Sequence, residues 1–456
     1  MKVGFGKASI TPKGGKIVIA GSIPVRYTDV VHDDVQAVAM VVKQDDTRTI
    51  WVVCDMCHPT KRLTDDVIAG LKKSLPDFNE DELILSATHA TACFYLTNDE
   101  FLNSAFDVDL DEIMSVDETR RQVCSGIISA VMEAVSNLED STIEYATSDI
   151  LTGFCRRVVY KDGSAVMYGD VHREDFLRME YPDGGGMQII YFYSKKEHQL
   201  SGIFAAVPCP AQADEASVYI TADYWAVVRE RIAEEYGDGI NVLGVCRAAG
   251  ELSPHRMIRI DAGTQSDEWG YDAARRIGIH IADAIIKECK RPIYVLDETD
   301  ISHSRITKEI DFPIRKPSQA EVDEAILYFQ NKSNFDKSGN AIDWIERAKA
   351  SHILKVWNEN PDTYKGRVSV MNIGGLLFFT APVELFTEYA KRICVKFPGH
   401  PVFDIQLTND SLGYLPTKEA IEHGGYSTLI FSTTTSPEGG EIYVDEITKL
   451  IGKLLK

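Results

Sequence analysis

The chain has 456 residues, 44% hydrophobic and 26% charged, an ordinary globular composition with enough apolar material for a large core. No stretch approaches the ~18 consecutive apolar residues of a membrane helix, and the opening Met1-Lys2-Val3-Gly4-Phe5-Gly6 lacks a secretory h-region, so a cytoplasmic location is expected. The formal charge of −21, from 69 acidic and 48 basic residues, repels phosphate backbones and anionic lipid and argues against nucleic-acid and membrane partners.

In chain order, Lys7 to Pro12 reads as a strand and a turn, and Val35 to Val42 as a buried strand. A strand–helix–strand pattern then occurs three times. Its first instance runs from Thr49–Cys54 through a helix at Leu63–Ser74 to Glu82–Ser86. The second joins Gly202–Val207, a helix at Asp223–Tyr236 and Ile240–Val245. The third joins Leu376–Phe379, a helix at Val383–Phe397 and Val402–Leu407. Such alternation predicts an α/β fold of mixed, largely parallel sheets flanked by helices. Between the first and second units, residues 150 to 195 read as antiparallel β, with a hairpin turning at Lys161-Asp162-Gly163-Ser164. Residues 317 to 357 read as a peripheral helical segment. No linker divides the chain, so residues 1–456 are expected to form one domain.

Nine cysteines in a chain without an export signal are expected to be reduced, mostly buried thiols. Cys54-Asp55-Met56-Cys57 has no second pair at zinc-finger spacing and is read as neither disulfide nor metal clip, with Cys54 pointing into the core.

Ligands of open α/β sheets bind beyond the carboxyl ends of the strands. Five loops at such ends carry chemically capable residues: His89, Cys209, Ser253, Glu384 and Tyr414. Each also has an ordinary structural reading: a capped histidine, a Pro-Cys-Pro turn, a turn serine, a helix-dipole carboxylate and an aromatic plug. Together they supply nitrogen, sulfur, carboxylate and phenolic oxygen, the donor set of a hydrolytic metal site. Arg156, Arg157, Asp170, His172 and Arg173 on the hairpin either rim the same site or are solvated strand ends.

On these residues the sequence resembles the neutral/alkaline, non-lysosomal ceramidase family in its catalytic N-terminal part. Gly6-Lys7-Ala8-Ser9-Ile10-Thr11-Pro12 resembles the family's start, and Leu85-Ser86-Ala87-Thr88-His89-Ala90-Thr91 its S-A-T-H-T-H segment. Ala249-Gly250-Glu251-Leu252-Ser253-Pro254 resembles G-D-x-S-P, and Glu384-Leu385-Phe386-Thr387 the E-x-T segment. Gly413-Tyr414-Leu415-Pro416-Thr417 and Gly425-Tyr426-Ser427-Thr428 resemble the paired tyrosine segments. Thr221-Ala222-Asp223-Tyr224 resembles S-A/G-D, which brings Asp223 in as a substrate-side residue.

The resemblance implies a zinc ion held by His89, Glu384 and Tyr414, with Ser253 and Tyr426 beside the reacting carbonyl. This chain departs from the pattern where it has Thr91 for the second histidine of S-A-T-H-T-H. It departs again where Cys209 stands in the segment of the family's other zinc histidine, so Cys209 is the expected replacement ligand. The reading that follows is a zinc-dependent hydrolase of an amide or related bond in a small soluble substrate, with assembly into a homo-oligomer left open. Two alternatives remain: a metal-free hydrolase or lyase using Cys209 as nucleophile and His89 as base, and a non-catalytic binding descendant.

Overall fold

The computed structural model describes residues 1–21, 26–97, 113–258, 269–296, 302–336 and 342–456. Two larger sheets dominate. One is a nine-stranded sheet whose main path runs Asn241–Cys246, Leu200–Val207, Met187–Ser194, Glu139–Ser148, Lys2–Ser9, Gln36–Gln44, Thr47–Cys54, Leu83–Ala87. The other has four strands in the order His303–Pro313, Thr363–Ile373, Leu376–Thr380, Val402–Ile405.

Alternation of side chains across the pleat gives each strand of the large sheet two buried faces. Val3, Phe5, Met40, Trp51, Ile84, Phe204 and Leu243 pack against Met371, Leu376, Phe378, Phe403 and Ile405 of the small sheet. Trp51 is the pivot. Its ring lies edge-on to Phe204 at 5.0 Å and to Phe378 at 5.6 Å, and its indole N–H donates to Ser86 Oγ at 2.9 Å. The outer face of the large sheet is covered by the helices Lys61–Ser74, Val116–Ser136, Tyr224–Tyr236 and Tyr271–Cys289. The outer face of the small sheet takes Thr387–Cys394 and Glu438–Leu454. The chain is thus layered helix, sheet, sheet, helix.

The mixed α/β class is observed, and parallel pairing is found where the three units predict it. Thr47–Cys54 pairs with Leu83–Ala87, Leu200–Val207 with Asn241–Cys246, and Leu376–Thr380 with Val402–Ile405. The sheets are less parallel than expected, because the strands between these pairs run antiparallel. The hairpin forms as Arg157–Tyr160 against Ala165–Met167. The third helix is shorter than its periodicity suggests and covers Thr387–Cys394. Glu384–Leu385 is drawn instead into a short parallel bridge with Tyr414–Leu415. Of the peripheral segment, Gln319–Gln330 and Trp344–Glu359 are helical, while 337–341 lie outside the described residues. Cys54 is buried in the main core, and all nine cysteines are free thiols.

The parallel units of both sheets end at one edge of the sandwich, where side chains stitch them together. Gln406 accepts through Oε1 from the backbone N–H of Ala249 at 3.2 Å and of Leu385 at 2.9 Å. Asp404 accepts from Arg247 at 2.7 Å and from Ala248 N at 2.9 Å. Asn409 accepts from Leu85 N at 2.9 Å. At this edge His89, Tyr168, Asp223, Leu407 and Asn409 all adopt positive φ, between +51° and +63°. That region is costly for residues other than glycine, by about 1–3 kcal/mol each, and persists only where the surroundings dictate it.

Candidate active site

His89 follows the strand Leu83–Ala87 and is 5% exposed. Its Nδ1 lies 2.8 Å from the carbonyl oxygen of Cys57, which fixes the tautomer with Nδ1–H as donor. Nε2 then faces Glu384 Oε2 at 3.2 Å. Glu384 is presented by its two-residue bridge to Tyr414. Gly250 makes that approach feasible, because a Cβ there would sit 2.8 Å from the Glu384 carbonyl oxygen. The Tyr414 phenol hydrogen-bonds the Glu384 carboxylate and accepts from Arg156 Nη2 at 2.9 Å. Arg156 also donates to Gly250 O at 3.2 Å. Tyr426 packs edge-on to Tyr414 at 6.0 Å.

Charge follows this geometry. Burial works against a charged imidazole, yet the Glu384 carboxylate lifts His89 to about 10. Glu384 is lowered despite its burial, chiefly by His89 and then Arg156. Burial raises Tyr414 well above the usual phenol range, against the pull of Arg156, and carries Tyr426 to about 12.

Ser253 is fully buried on a short bridge, Leu252–Ser253 against Phe154–Cys155. Its Oγ accepts from Tyr168 OH at 3.2 Å and from His255 N at 3.0 Å. Tyr168 OH in turn accepts from Gln212 Nε2 at 2.9 Å.

The structure therefore brings together His89, Glu384, Tyr414, Tyr426 and Arg156, with Ser253 joined through Tyr168, whose ring lies 6.0 Å from the Arg156 guanidinium. Four expected residues have other places. Cys209 belongs to the main core, with its thiol donating to Pro210 O at 3.4 Å and its carbonyl taking the Tyr224 hydroxyl at 2.7 Å. Burial pushes that thiol well above its usual range, so the surroundings of Cys209 give the replacement-ligand expectation no support. Arg157 is fully buried in an ion pair with Glu180 and donates to Gly424 O at 2.7 Å and Ala420 O at 3.2 Å. It anchors the segment that carries Tyr426 rather than rimming the site. Asp223 caps the helix Tyr224–Tyr236 and accepts from Asp214 N at 2.7 Å, which shapes the loop. His172 is exposed, with its backbone N–H bonded to Asp170.

Four residues to which the sequence reading gave no role at the site join the cluster: Cys57, His58, Tyr168 and Glu215. Cys57 Sγ lies 3.8 Å from His89 Nδ1 and also contacts His58. Burial disfavours the Cys57 thiolate, but His58 and His89 outweigh it and bring the thiol down to about 6. Tyr168 is the link to Ser253 just described. Glu215, pushed up to about 7 by burial against the pull of Arg156, also interacts with His89, Tyr168 and Tyr426. A signal for Cys57 and His58 was present: they follow the strand Thr47–Cys54 just as His89 follows Leu83–Ala87.

Two expectations follow. Cys209→Ser is expected to leave bound metal unchanged while lowering stability by about 1–3 kcal/mol, because a hydroxyl is poorly accommodated in an apolar core. Urea unfolding read beside elemental analysis checks this, and a drop in metal at constant stability would return Cys209 to the ligand set. Glu215→Gln is expected to flatten the pH dependence of stability. The folded carboxyl holds its proton up to about 7 against an ordinary 4.5, so the folded state binds more protons across that window and stability falls as pH rises through it. The glutamine variant therefore gains on the parent at pH 8 but not at pH 4, as urea midpoints at the two pH values would report.

Residues 1–161 match the family model described as neutral/alkaline non-lysosomal ceramidase, N-terminal. No curated protein matches the sequence. Among solved structures, neutral ceramidase from Pseudomonas aeruginosa is similar with a TM-score of 0.73 at 16% identity, over 99% of this chain and 74% of that one. A ceramidase complexed with C2 is similar with a TM-score of 0.73 at 17% identity, over 99% of this chain and 75% of that one. The first 161 residues thus match the N-terminal region of the neutral/alkaline non-lysosomal ceramidases, and the chain as a whole has the neutral ceramidase fold.

Proposed function

We propose that the protein is a zinc-dependent hydrolase of an amide bond in a small soluble substrate, with the metal held by His89 Nε2, Glu384 and Tyr414. The family match and the shared fold support a hydrolase of a ceramide-like amide bond. The observation that carries the metal is the Cys57 carbonyl beside His89 Nδ1. It turns Nε2 toward the Glu384 carboxylate at 3.2 Å, so that a nitrogen and an oxygen donor, paired here through a proton, face one point where a zinc ion would replace that proton. Among the described residues no group of three or more His, Cys, Asp or Glu could hold a metal. The third donor here is a tyrosine, and three protein donors with one open position suit a catalytic zinc.

Bound zinc supplies a Lewis acid for the carbonyl and acidifies a water toward ~7. The chain's own residues do the rest. Arg156 puts positive charge on Tyr414 and Glu384. Ser253 Oγ already accepts two hydrogen bonds, so its own proton remains to be donated to the developing oxyanion. Tyr426, protonated at neutral pH, is a second donor. Glu215 is the group that takes up and gives back a proton near neutrality.

A second reading, a thiol hydrolase, passes from Cys209 to Cys57, because Cys57 is the thiol in contact with His58 and His89.

No helix among the described residues is long and apolar enough to cross a membrane. The surface charge of −21 disfavours work on anionic bilayers. The deciding assay compares short-chain soluble N-acyl amines with ceramide in vesicles. Release of amine from the soluble amides alone supports the proposal. Preferential turnover of bilayer ceramide overturns the soluble-substrate half, and no turnover of any amide overturns the hydrolase.

A further inference from the structure

Beside Ser253 stands an aromatic wall that the proposed chemistry does not use. Trp269 is 42% exposed. His255 lies flat against it, with ring centroids 3.3 Å apart and an interplanar angle of 16°. Tyr168 meets both rings edge-on, Trp269 at 5.4 Å and His255 at 5.8 Å. Tyr168 is also the residue whose hydroxyl donates to Ser253 Oγ. The wall is therefore two contacts from the reacting centre.

Its backbone is fixed as well. Gly270 takes φ +86° at the start of the helix Tyr271–Cys289, and its N–H donates to Ala213 O at 2.8 Å. This clamps Trp269 to the loop that carries Asp214 and Glu215. A Cβ on Gly270 would lie 4.0 Å from Asp214 Oδ1, and the half-buried Glu215 carboxylate interacts with Tyr168, so negative charge lies close to the wall.

We propose that this wall is a substrate subsite that takes the C–H face of a sugar ring, making the substrate class an N-acyl amino sugar. The inference rests on the amide-hydrolase reading and deepens it. A rigid aromatic face carries a negative quadrupole that attracts polarised C–H groups. A flat ring covers it fully, whereas a flexible alkyl chain loses rotamer freedom for the same contact. Glu215, half-buried and interacting with Tyr168, is the carboxylate that accepts a hydroxyl proton from the ring's rim. An alkyl chain lying beside it would strip its water and give nothing back.

The test uses the full-length protein, with binding followed by saturation-transfer NMR and tryptophan fluorescence. The probes are N-acetylglucosamine and, as the alkyl control, N-hexylacetamide. The sugar is expected to bind more tightly than the alkyl amide. Trp269→Ala should weaken sugar binding tenfold or more, Trp269→Phe about two- to threefold, and neither should alter the alkyl control. The residue is exposed, so thermal unfolding should stay within a few degrees of the parent in both variants. Sugar binding that is absent, or unchanged in both variants, overturns the proposal. Tighter binding of the alkyl amide, lost in Trp269→Ala, overturns it in favour of a chain-binding wall. Because binding is read without turnover, a sugar amide held through Trp269 but never cleaved would sink the hydrolase reading alone.

Discussion

His89→Ala is expected to abolish metal binding and to lower the hydrolytic rate by about 10³-fold or more, the scale of removing a preorganised electrostatic centre. The reasoning is local. His89 is held at φ +62° so that Nδ1 reaches the Cys57 carbonyl and Nε2 reaches Glu384. Alanine removes the nitrogen donor and leaves the Glu384 carboxylate, buried on the same edge, with Arg156 and the Tyr414 phenol. Folding should survive, because the loss is local: one buried hydrogen bond to the Cys57 carbonyl, worth about 1–3 kcal/mol. Circular dichroism and elemental analysis, run beside the rate assay, separate loss of metal from loss of structure. Retained activity in a folded His89→Ala protein would remove the metal reading and leave Cys57 to be tested by thiol alkylation.

The largest expected loss of stability comes from Arg157→Ala. Both partners of the Arg157–Glu180 pair are fully buried, and His423 shares the same carboxylate at 2.6 Å. Truncating the arginine leaves the buried Glu180 carboxylate without its guanidinium and with only His423 as a side-chain partner among the described residues, at a cost of about 3–5 kcal/mol. Replacing both, as Arg157→Met with Glu180→Leu, is expected to recover much of that loss, because a well-packed apolar pair removes the desolvation penalty along with the attraction. The single variant should also lose activity while folded, since Arg157 holds the Gly424 and Ala420 carbonyls that set the Tyr426 segment. Urea midpoints of the single and double variants measure the first effect. A single variant as stable as the parent would show the pair to be solvated.

Much of the scaffold was legible in the sequence, and the reason is periodicity. Runs such as Thr49–Cys54 and Gly202–Val207, followed by amphipathic helices, predicted units whose strands do pair in parallel. The stacking of two sheets was not legible. A strand such as Gln36–Gln44, buried on both faces, reads the same whether a helix or a second sheet covers it. The shortened third helix was hidden for a related reason, because Glu384 and Leu385 are claimed by Tyr414 and Leu415, thirty positions away. At the site, His89, Glu384, Tyr414, Tyr426 and Ser253 could be named because short motifs mark them. The direction of Cys209 was not legible, because a motif position gives no side-chain orientation, and here the thiol turns into the core. Arg156 and Arg157, adjacent in sequence, went to different tasks, because the chain breaks between the short strands Phe154–Cys155 and Arg157–Tyr160 just at Arg156.

The measurement that bears most directly on the account is zinc stoichiometry of the purified chain after chelation and reloading, with Glu384→Gln and Cys209→Ser measured in parallel. The account predicts about one zinc per chain in the parent and in Cys209→Ser, and none retained in Glu384→Gln. A parent that takes up no zinc, yet hydrolyses an amide until its thiols are alkylated, would contradict it.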